Sequence, residues 1–259
     1  MATVCPMREH GADRLVDVPT TGRVYRAERR VRFGDVSPAG RARFDALACF
    51  LQDVSSDDTA DAGLDDDLAW VVRRTVFEVR RPAVFRELLE LTTFCSGIGS
   101  RWAERRVALR GERGAVIDAA TLWVHVELPS GRPIPLDGQF LDLYGPAAAG
   151  REVTARLRHR AHVPDVAARR PWGLRFCDFD PLGHVNNAAS WATVEEVLAG
   201  RPGLRPPYRA ELEYRAPIER GAVISLATVA LDDGGLAMWA LEDRTGELHL
   251  TGLVSPLAG

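Results

Sequence analysis

Hydrophobic and polar positions near the start of the chain follow a helical period. Apolar residues between positions 45 and 60 recur at i, i+3 and i+4, which places them on one face of a helix. Those residues are Ala46, Leu47, Phe50, Leu51 and Val54. Asp45 precedes them and is positioned to cap the helix. The acidic run at 57–67 is expected to form a solvated turn after it.

Strand-like runs surround this helix. One run covers 25–33, and from residue 70 the chain changes to apolar runs separated by glycines. Those runs cover 71–72, 76–79, 88–94, 102–109 and 119–128. The later part repeats the plan with a strand at 172–177, a helix over 188–199, and strands at 210–214, 223–231, 236–242 and 248–253. The pattern predicts an α+β fold with one helix and one antiparallel sheet in each half.

A short sequence repeat supports two similar halves. Residues 31–43 and 174–186 share Arg, Phe, Asp, Pro and Gly when aligned 143 positions apart. A second pair of similar segments, 77–82 and 212–217, follows at an offset of 135. Coincidence among common residues of an arginine-rich chain is the alternative. Two pairs of similar segments in the same order favour duplication of one ancestral half.

The repeat also suggests domain boundaries. Residues 1–22 are polar and are predicted to form a loose leader. The first subdomain is placed at 23–144 and the second at 172–259, and the Gly- and Pro-containing stretch 145–171 is predicted to be a linker.

Composition excludes several functions. The net charge of -3 argues against nucleic-acid binding, and no apolar run is long enough to span a membrane. All 33 basic residues are arginine, so Schiff-base catalysis and a P-loop are excluded. The 4 cysteines are scattered, and no metal or organic cofactor is implied. Without a visible secretory signal, a cytoplasmic location is expected.

Polar residues distinguish the second copy of the repeat from the first. Asp180, His184 and Asn186 stand where the first copy has Ser37, Arg41 and Arg43. Asp180 can activate water or attack directly, and His184 can donate a proton. A turn-capping role for Asp180 and a purely structural role for His184 are the alternatives.

Three further residues are candidates beside this pair. Asn186 and Asn187 are taken as substrate-binding candidates, although they can also hold the turn, with Asn187 as the N-cap of the following helix. Glu219 is a polar residue gained only in the second copy and is the third catalytic candidate; a surface glutamate is the alternative.

Residues 176–187 resemble the motif of hotdog thioesterases, and residues 25–255 as a whole resemble the acyl-ACP thioesterases of plants and bacteria. Supporting stretches are 51–54, 100–106, 120–124 and 212–215. The resemblance implies a double hotdog, in which each helix is wrapped by a sheet and the two sheets pair edge to edge. It also implies an acyl-chain pocket between the helix and sheet of the first half.

Asp180 and His184 match the aspartate and histidine of that family's motif, Asp-x-Asn-x-His. Leu182 replaces its asparagine, and Pro217-Ile218 replaces its Glu-Cys pair, so a cysteine-dependent mechanism does not carry over. Glu219 lies two positions from the family glutamate. The sequence Asp-Pro-Leu-Gly at 180–183 is more similar to the motif of single-hotdog acyl-CoA thioesterases.

The leading prediction is a thioesterase that cleaves a fatty-acyl thioester of acyl carrier protein or coenzyme A, as a monomer or homodimer. A group of arginines, Arg101, Arg105, Arg106, Arg110 and Arg113, is a candidate contact for an acidic carrier protein. A solvated strand face is the equal alternative for them. A catalytically degenerate acyl-binding protein is the alternative. A hotdog dehydratase or hydratase fits less well, because its Asp-to-His spacing of five does not occur here.

Overall fold

The computed structural model describes residues 15–64, 69–128 and 130–257. The first half contains β1 (Tyr25–Arg30), α1 (Phe44–Asp61), β2 (Ala69–Arg81), β3 (Leu88–Ile98), β4 (Trp102–Gly111), β5 (Val116–Val126) and α2 (Gly138–Ala148). The second half contains β6 (Ala168–Trp172), α3 (Ala192–Ala199), β7 (Tyr208–Tyr214), β8 (Ile224–Ala230), β9 (Leu236–Glu242) and β10 (Leu248–Pro256). Short 3-10 helices lie at Phe33–Asp35, Phe176–Asp178 and Ala189–Trp191.

The described strands form one ten-stranded sheet with the order β1-β3-β4-β5-β2-β7-β10-β9-β8-β6. The two halves have the same internal order, read outward from the centre. They join where β2 pairs antiparallel with β7, from Arg74 opposite Glu213 to Val79 opposite Tyr208. Because this pairing satisfies the backbone groups of two edge strands, neither is left exposed. The predicted double hotdog is confirmed.

One hydrophobic core spans both halves. It includes Phe44 and Leu47 of α1, Phe77 of β2 and Trp191 at the start of the second helical segment. The Trp191 ring lies 5.2 Å from Phe44 and 4.8 Å from Phe77, centroid to centroid. Aromatic pairs at these separations contribute favourable energy beyond area burial. The helices of the two halves therefore pack against each other and not only against their own sheets.

The beginning of α1 and its end both differ from prediction. The helix starts at Phe44 with Arg43 as N-cap, so Asp45 lies in the first turn, where its carboxylate accepts from Arg43 Nε at 2.9 Å. The acidic run is not a solvated turn up to Asp61, because α1 continues through it and Asp58 is only 1% exposed. Its later residues, 65–67, lie outside the described residues.

The segments predicted as leader and linker contain ordered structure. Residues 1–14 lie outside the described residues, but Val16 accepts a hydrogen bond from Arg106 Nε at 3.0 Å. The stretch 145–171 overlaps α2 at its start and β6 at its end. Asp137 starts α2 by accepting from the Phe140 N–H at 2.7 Å. The division of the chain at these boundaries stays a prediction.

Among the described residues, no helix combines the length and apolarity needed to cross a membrane.

Candidate functional site

The turn that holds Asp180 is built by its own hydrogen bonds. The Asp180 N–H donates to the His184 carbonyl at 2.9 Å, and the Gly183 N–H donates to the Asp180 carbonyl at 3.0 Å. Gly183 has φ +84°, a conformation that favours glycine. The Asp180 Oδ1 accepts from the N–H groups of Leu182 at 2.9 Å and His184 at 3.3 Å. Oδ2 has no hydrogen-bond partner among the described residues, so one carboxylate oxygen holds the turn while the other is available.

His184 and Glu219 are brought together by the backbone. They form an antiparallel bridge, and the Val185 N–H donates to the Ile218 carbonyl at 2.9 Å. The equivalent residues of the first half, Arg41 and Val84, form the same kind of bridge. Glu219 is exposed and His184 is half-buried. The structure therefore places three of the candidate residues at one turn.

Asn186 connects this turn to α1. Its Oδ1 accepts from the Ala188 N–H at 2.8 Å and from Gln52 Nε2 at 3.3 Å. The Asn186 side chain thus holds the turn that precedes the 3-10 helix Ala189–Trp191, whose N-cap is Ala188. The prediction of Asn187 as N-cap is wrong; its carbonyl accepts from the Tyr214 hydroxyl at 2.9 Å.

A cavity of about 380 Å³ begins at this junction and extends into the first half. It lies between α1, the sheet strands β2 to β5, and α2. Its lining residues are Gln52, Ser55, Ser56, Thr59, Leu64, Trp70, Cys95, Ala103, Glu104, Arg105, Trp123, Phe140, Tyr144 and Asn186. Asn186 is the candidate residue that reaches the lining. Asp180, His184, Asn187 and Glu219 are not part of it.

Buried charges lie in the cavity wall and directly behind it. The Asp58 carboxylate accepts from Arg23 Nε at 2.6 Å, from Arg105 Nη1, and from the Tyr144 hydroxyl at 3.0 Å. The Arg105 side chain is 13% exposed, and Arg106 is buried with its Nη2 3.0 Å from Asp118 Oδ1. These two arginines therefore do not form a surface for a carrier protein, because internal carboxylates hold them inside the fold.

The first copy of the repeat has no such opening. Arg41, the counterpart of His184, donates from Nη1 and Nη2 to the two carboxylate oxygens of Glu195 on α3, each at 2.8 Å. Glu195 Oε1 also accepts from the Phe44 N–H at the start of α1, at 2.7 Å. The crevice beside Arg41 and Tyr208 is too narrow to admit a water molecule. Glu195, the counterpart of Gln52, is thus held in a bidentate ion pair with the counterpart of His184. Arg43, the counterpart of Asn186, pairs with Asp45 of α1 instead.

A second group of titratable side chains lies on the other face of the sheet. His159 Nε2 is 3.6 Å from Glu211 Oε1, and His159 Nδ1 is 3.9 Å from Glu213 Oε2, with all three residues buried. The β7 residues that alternate with the two glutamates face the core, so the glutamates point away from the cavity. Arg209 and Arg215 lie 3.5 Å from their carboxylates. This balance of charge favours a structural role over metal binding.

The thiol in the cavity is not an activated nucleophile. Burial raises the pKa of the Cys95 thiol to about 11, so it stays protonated at neutral pH. Cys177, in the motif itself, is exposed on a 3-10 helix and not on a strand.

Sequence reasoning missed two parts of the site, Gln52 as a partner of the motif and the wall supplied by α2. For α2 a signal existed, since Asp137 precedes Phe140 and Tyr144 at capping and i, i+4 spacing. For Gln52 there was none in the local pattern, because its partner is 134 residues away.

Comparison with known proteins identifies related chains. Residues 22–144 match the model of the acyl-ACP thioesterase N-terminal domain, and residues 162–249 match that of the C-terminal domain. The chain is 32% identical over 223 residues to the uncharacterized protein Rv2001 of Mycobacterium tuberculosis strain H37Rv, covering 85% of this chain and 88% of that protein.

Solved structures share the fold at lower sequence identity. The 12:0-ACP thioesterase from Umbellularia californica superimposes with a TM-score of 0.74 at 21% identity, covering 90% of this chain and 96% of that one. An acyl-ACP thioesterase from Bacteroides thetaiotaomicron gives a TM-score of 0.71 at 17% identity, covering 90% and 97%.

Proposed function

Because the chain belongs to the acyl-ACP thioesterase family, we propose that it hydrolyses an acyl thioester of acyl carrier protein or coenzyme A at the turn formed by Asp180 and His184. Family membership supports the general activity, hydrolysis of a thioester. The observation that supports this location is the contact of Asn186 with Gln52, which joins the motif to the wall of the 380 Å³ cavity.

The acyl group occupies the cavity in this proposal, and its carbonyl carbon lies at the cavity mouth beside Asn186. Asp180 Oδ2 accepts a proton from a water molecule as the water oxygen bonds to the carbonyl carbon. The carbon–sulfur bond then breaks, and His184 donates a proton to the departing thiolate. The Gln52 carboxamide can donate to the carbonyl oxygen as negative charge develops on it. The products are the free acid and the thiol.

The substitution Asp180→Asn tests this role. Asparagine keeps an acceptor oxygen for the turn but cannot take up the proton, so kcat is expected to fall at least about a hundredfold, the usual scale for acid–base catalysis. Thiol release from a panel of acyl-ACP and acyl-CoA substrates measures it.

A matched control is Asp233→Asn. Asp233 also caps a turn, since its Oδ1 accepts from the Gly235 N–H at 2.8 Å, and it lies in the β8–β9 loop. Its replacement should leave hydrolysis unchanged. Activity that survives Asp180→Asn would move the chemistry to other residues.

A catalytically degenerate acyl-binding protein is the second candidate. Leu182 is 71% exposed at the position where the family motif has asparagine, which removes one polar group from the turn. Tight acyl binding with no thiol release from any substrate would favour this function.

A further inference from the structure

The lining of the cavity is more polar than a plain hydrocarbon chain requires. We infer that the acyl group it accepts carries an oxygen function (hydroxyl, oxo or phenolic) on an apolar body. This inference rests on the proposed function, in which the cavity holds the acyl group of the substrate.

The first support is the face that α1 turns to the cavity. Gln52, Ser55 and Thr59 succeed one another at spacings of three and four, so they form a polar row along the wall. Ser55 Oγ donates to the Leu51 carbonyl at 2.7 Å, and Thr59 Oγ1 donates to the Ser55 carbonyl at 2.9 Å. Because each hydroxyl hydrogen is already donated to a carbonyl of the helix, the two hydroxyl oxygens can only accept. They therefore offer lone pairs to a ligand group that donates a hydrogen bond.

The second support is Arg105 on the sheet side of the cavity. Its Nη1 donates to Asp58 Oδ2 and, at 3.4 Å, to Thr93 Oγ1. A guanidinium has five N–H groups, and Asp58, Thr93 and Tyr144 account for at most three of them. The guanidinium lies over the Tyr144 ring, 5.1 Å from its centroid, which fixes its plane in the wall. Arg105 can therefore donate to an oxygen of the ligand.

The charges around the cavity indicate that this oxygen function is uncharged. Asp58 balances Arg105 and is itself bound by Arg23, which also pairs with Asp61 at 2.6 Å. Glu104, the other charged lining residue, accepts from Arg151 Nη1 at 2.6 Å. Because each charge in the wall has an internal partner, the site offers single hydrogen bonds and lacks an excess charge that would favour an ion.

The rest of the lining fits an apolar body, and aromatic rings predominate in it. The Trp70 ring is 5.2 Å from Phe140, and Phe140 is 5.0 Å from Tyr144. Trp123 and Leu64 are among the other apolar lining residues. A plain alkyl chain would fit these rings but would displace water from Arg105 and the α1 hydroxyls without replacing its hydrogen bonds, which weakens binding by about tenfold or more for each group left unpaired.

Paired substrates of equal carbon skeleton test the inference. We expect kcat/KM to be at least about tenfold higher for one or more of 3-hydroxydecanoyl-, 3-oxodecanoyl-, 10-hydroxydecanoyl- and 4-hydroxybenzoyl-CoA than for its unsubstituted partner, decanoyl- or benzoyl-CoA. Equal or lower values for every oxygenated substrate, with hydrolysis of the plain ones, would overturn the inference and leave the proposed function standing.

Thr59→Val is the variant that should reduce the preference. It keeps the shape of the side chain and removes the hydroxyl. The ratio of kcat/KM for the oxygenated substrate to kcat/KM for the plain substrate is therefore expected to fall several-fold, and kcat/KM for the plain substrate is expected to rise. Thr193→Val is the matched control, because Thr193 Oγ1 makes the same kind of bond to a helical carbonyl, that of Ser190 at 2.7 Å, away from this cavity. A ratio that both variants leave unchanged would contradict the role of the α1 face.

Binding of the free acids provides a readout independent of hydrolysis. Trp70 and Trp123 line the cavity, so their fluorescence reports a ligand there. The free acids of the same four oxygenated groups are compared with decanoic and benzoic acid. Preferential binding of at least one oxygenated acid over its plain partner, without thiol release from any thioester, would support the inference while the proposed function fails. Equal binding in every pair, or no binding of any acid, would overturn it.

Discussion

The two copies of the repeat have the same backbone arrangement and different side-chain contacts. In the second copy, Asn186 contacts Gln52 on α1, and a cavity of about 380 Å³ opens beside them. In the first copy, Arg41 contacts Glu195 on α3, and the crevice beside it is closed. Gln52 and Glu195 are themselves 143 positions apart, as are the two motifs. Each motif thus reaches the helix of the other half, although from different motif positions, and side-chain identity is one part of the difference between the open and the filled contact.

Helix length accounts for the rest of the difference. α1 has 18 residues and α3 has 8. The positions equivalent to Ser55 and Thr59 are Leu198, one residue before the end of α3, and Pro202, beyond it. The second half therefore has no helix face that could form the wall of a corresponding cavity.

Exchanging the motif residues should have the largest effect on activity. His184→Arg gives the second copy the residue that the first has at Arg41. An arginine side chain does not release a proton at neutral pH, so kcat for thioester hydrolysis is expected to fall at least about a hundredfold.

His162→Arg is the control, because this histidine is exposed between the two halves and should tolerate the change. If His184→Arg retains full activity, proton donation by His184 is not part of the mechanism.

At the first copy, stability is expected to change and activity is not. Glu195→Gln removes the charge that binds Arg41 while keeping an acceptor for the Phe44 N–H. Because the ion pair is partly buried, with side-chain exposures of 23% and 11%, we expect the free energy of unfolding to fall by about 1–2 kcal/mol. Thermal and denaturant unfolding measure this change.

The neighbouring Glu196→Gln is the matched control on the same helix. Glu196 pairs with Arg170 at 3.5 Å with both side chains exposed, so its loss should change stability by less than about 1 kcal/mol. Equal effects of the two substitutions would mean that the pair of Arg41 and Glu195 does not join the halves.

The smallest effect is expected at Cys177. The first copy has Gly34 at the equivalent position, with open space around it, so the turn needs no side chain there. Cys177→Ala should change activity and stability by no more than about twofold and 0.5 kcal/mol, as is usual for exposed positions. Measured kcat and Tm test this expectation, and a loss comparable to that of Asp180→Asn would show that the thiol takes part in the reaction.

The fold could be predicted because its signals are local. The apolar face of α1, the strand runs and the repeated turn are each contained in a short stretch of sequence. The cavity could not be predicted, because its wall depends on distant partners. Asp58 lies in an acidic run, a pattern that predicts exposure to solvent, yet its ion pairs with Arg23 and Arg105 keep its side chain buried. The region of α2 contains Gly and Pro, which indicate a linker, yet Tyr144 bonds Asp58 from there.

The pairing of β2 with β7 has a consequence for how the two motifs could diverge. Two identical chains in a symmetric dimer carry every substitution twice, so a His-to-Arg change at the motif would remove both sites together. Within one continuous chain, the same strand pairing is made between β2 and β7, which are encoded separately. One motif is then free to hold the ion pair between Arg41 and Glu195, while its counterpart keeps the residues to which we assign catalysis in our proposal.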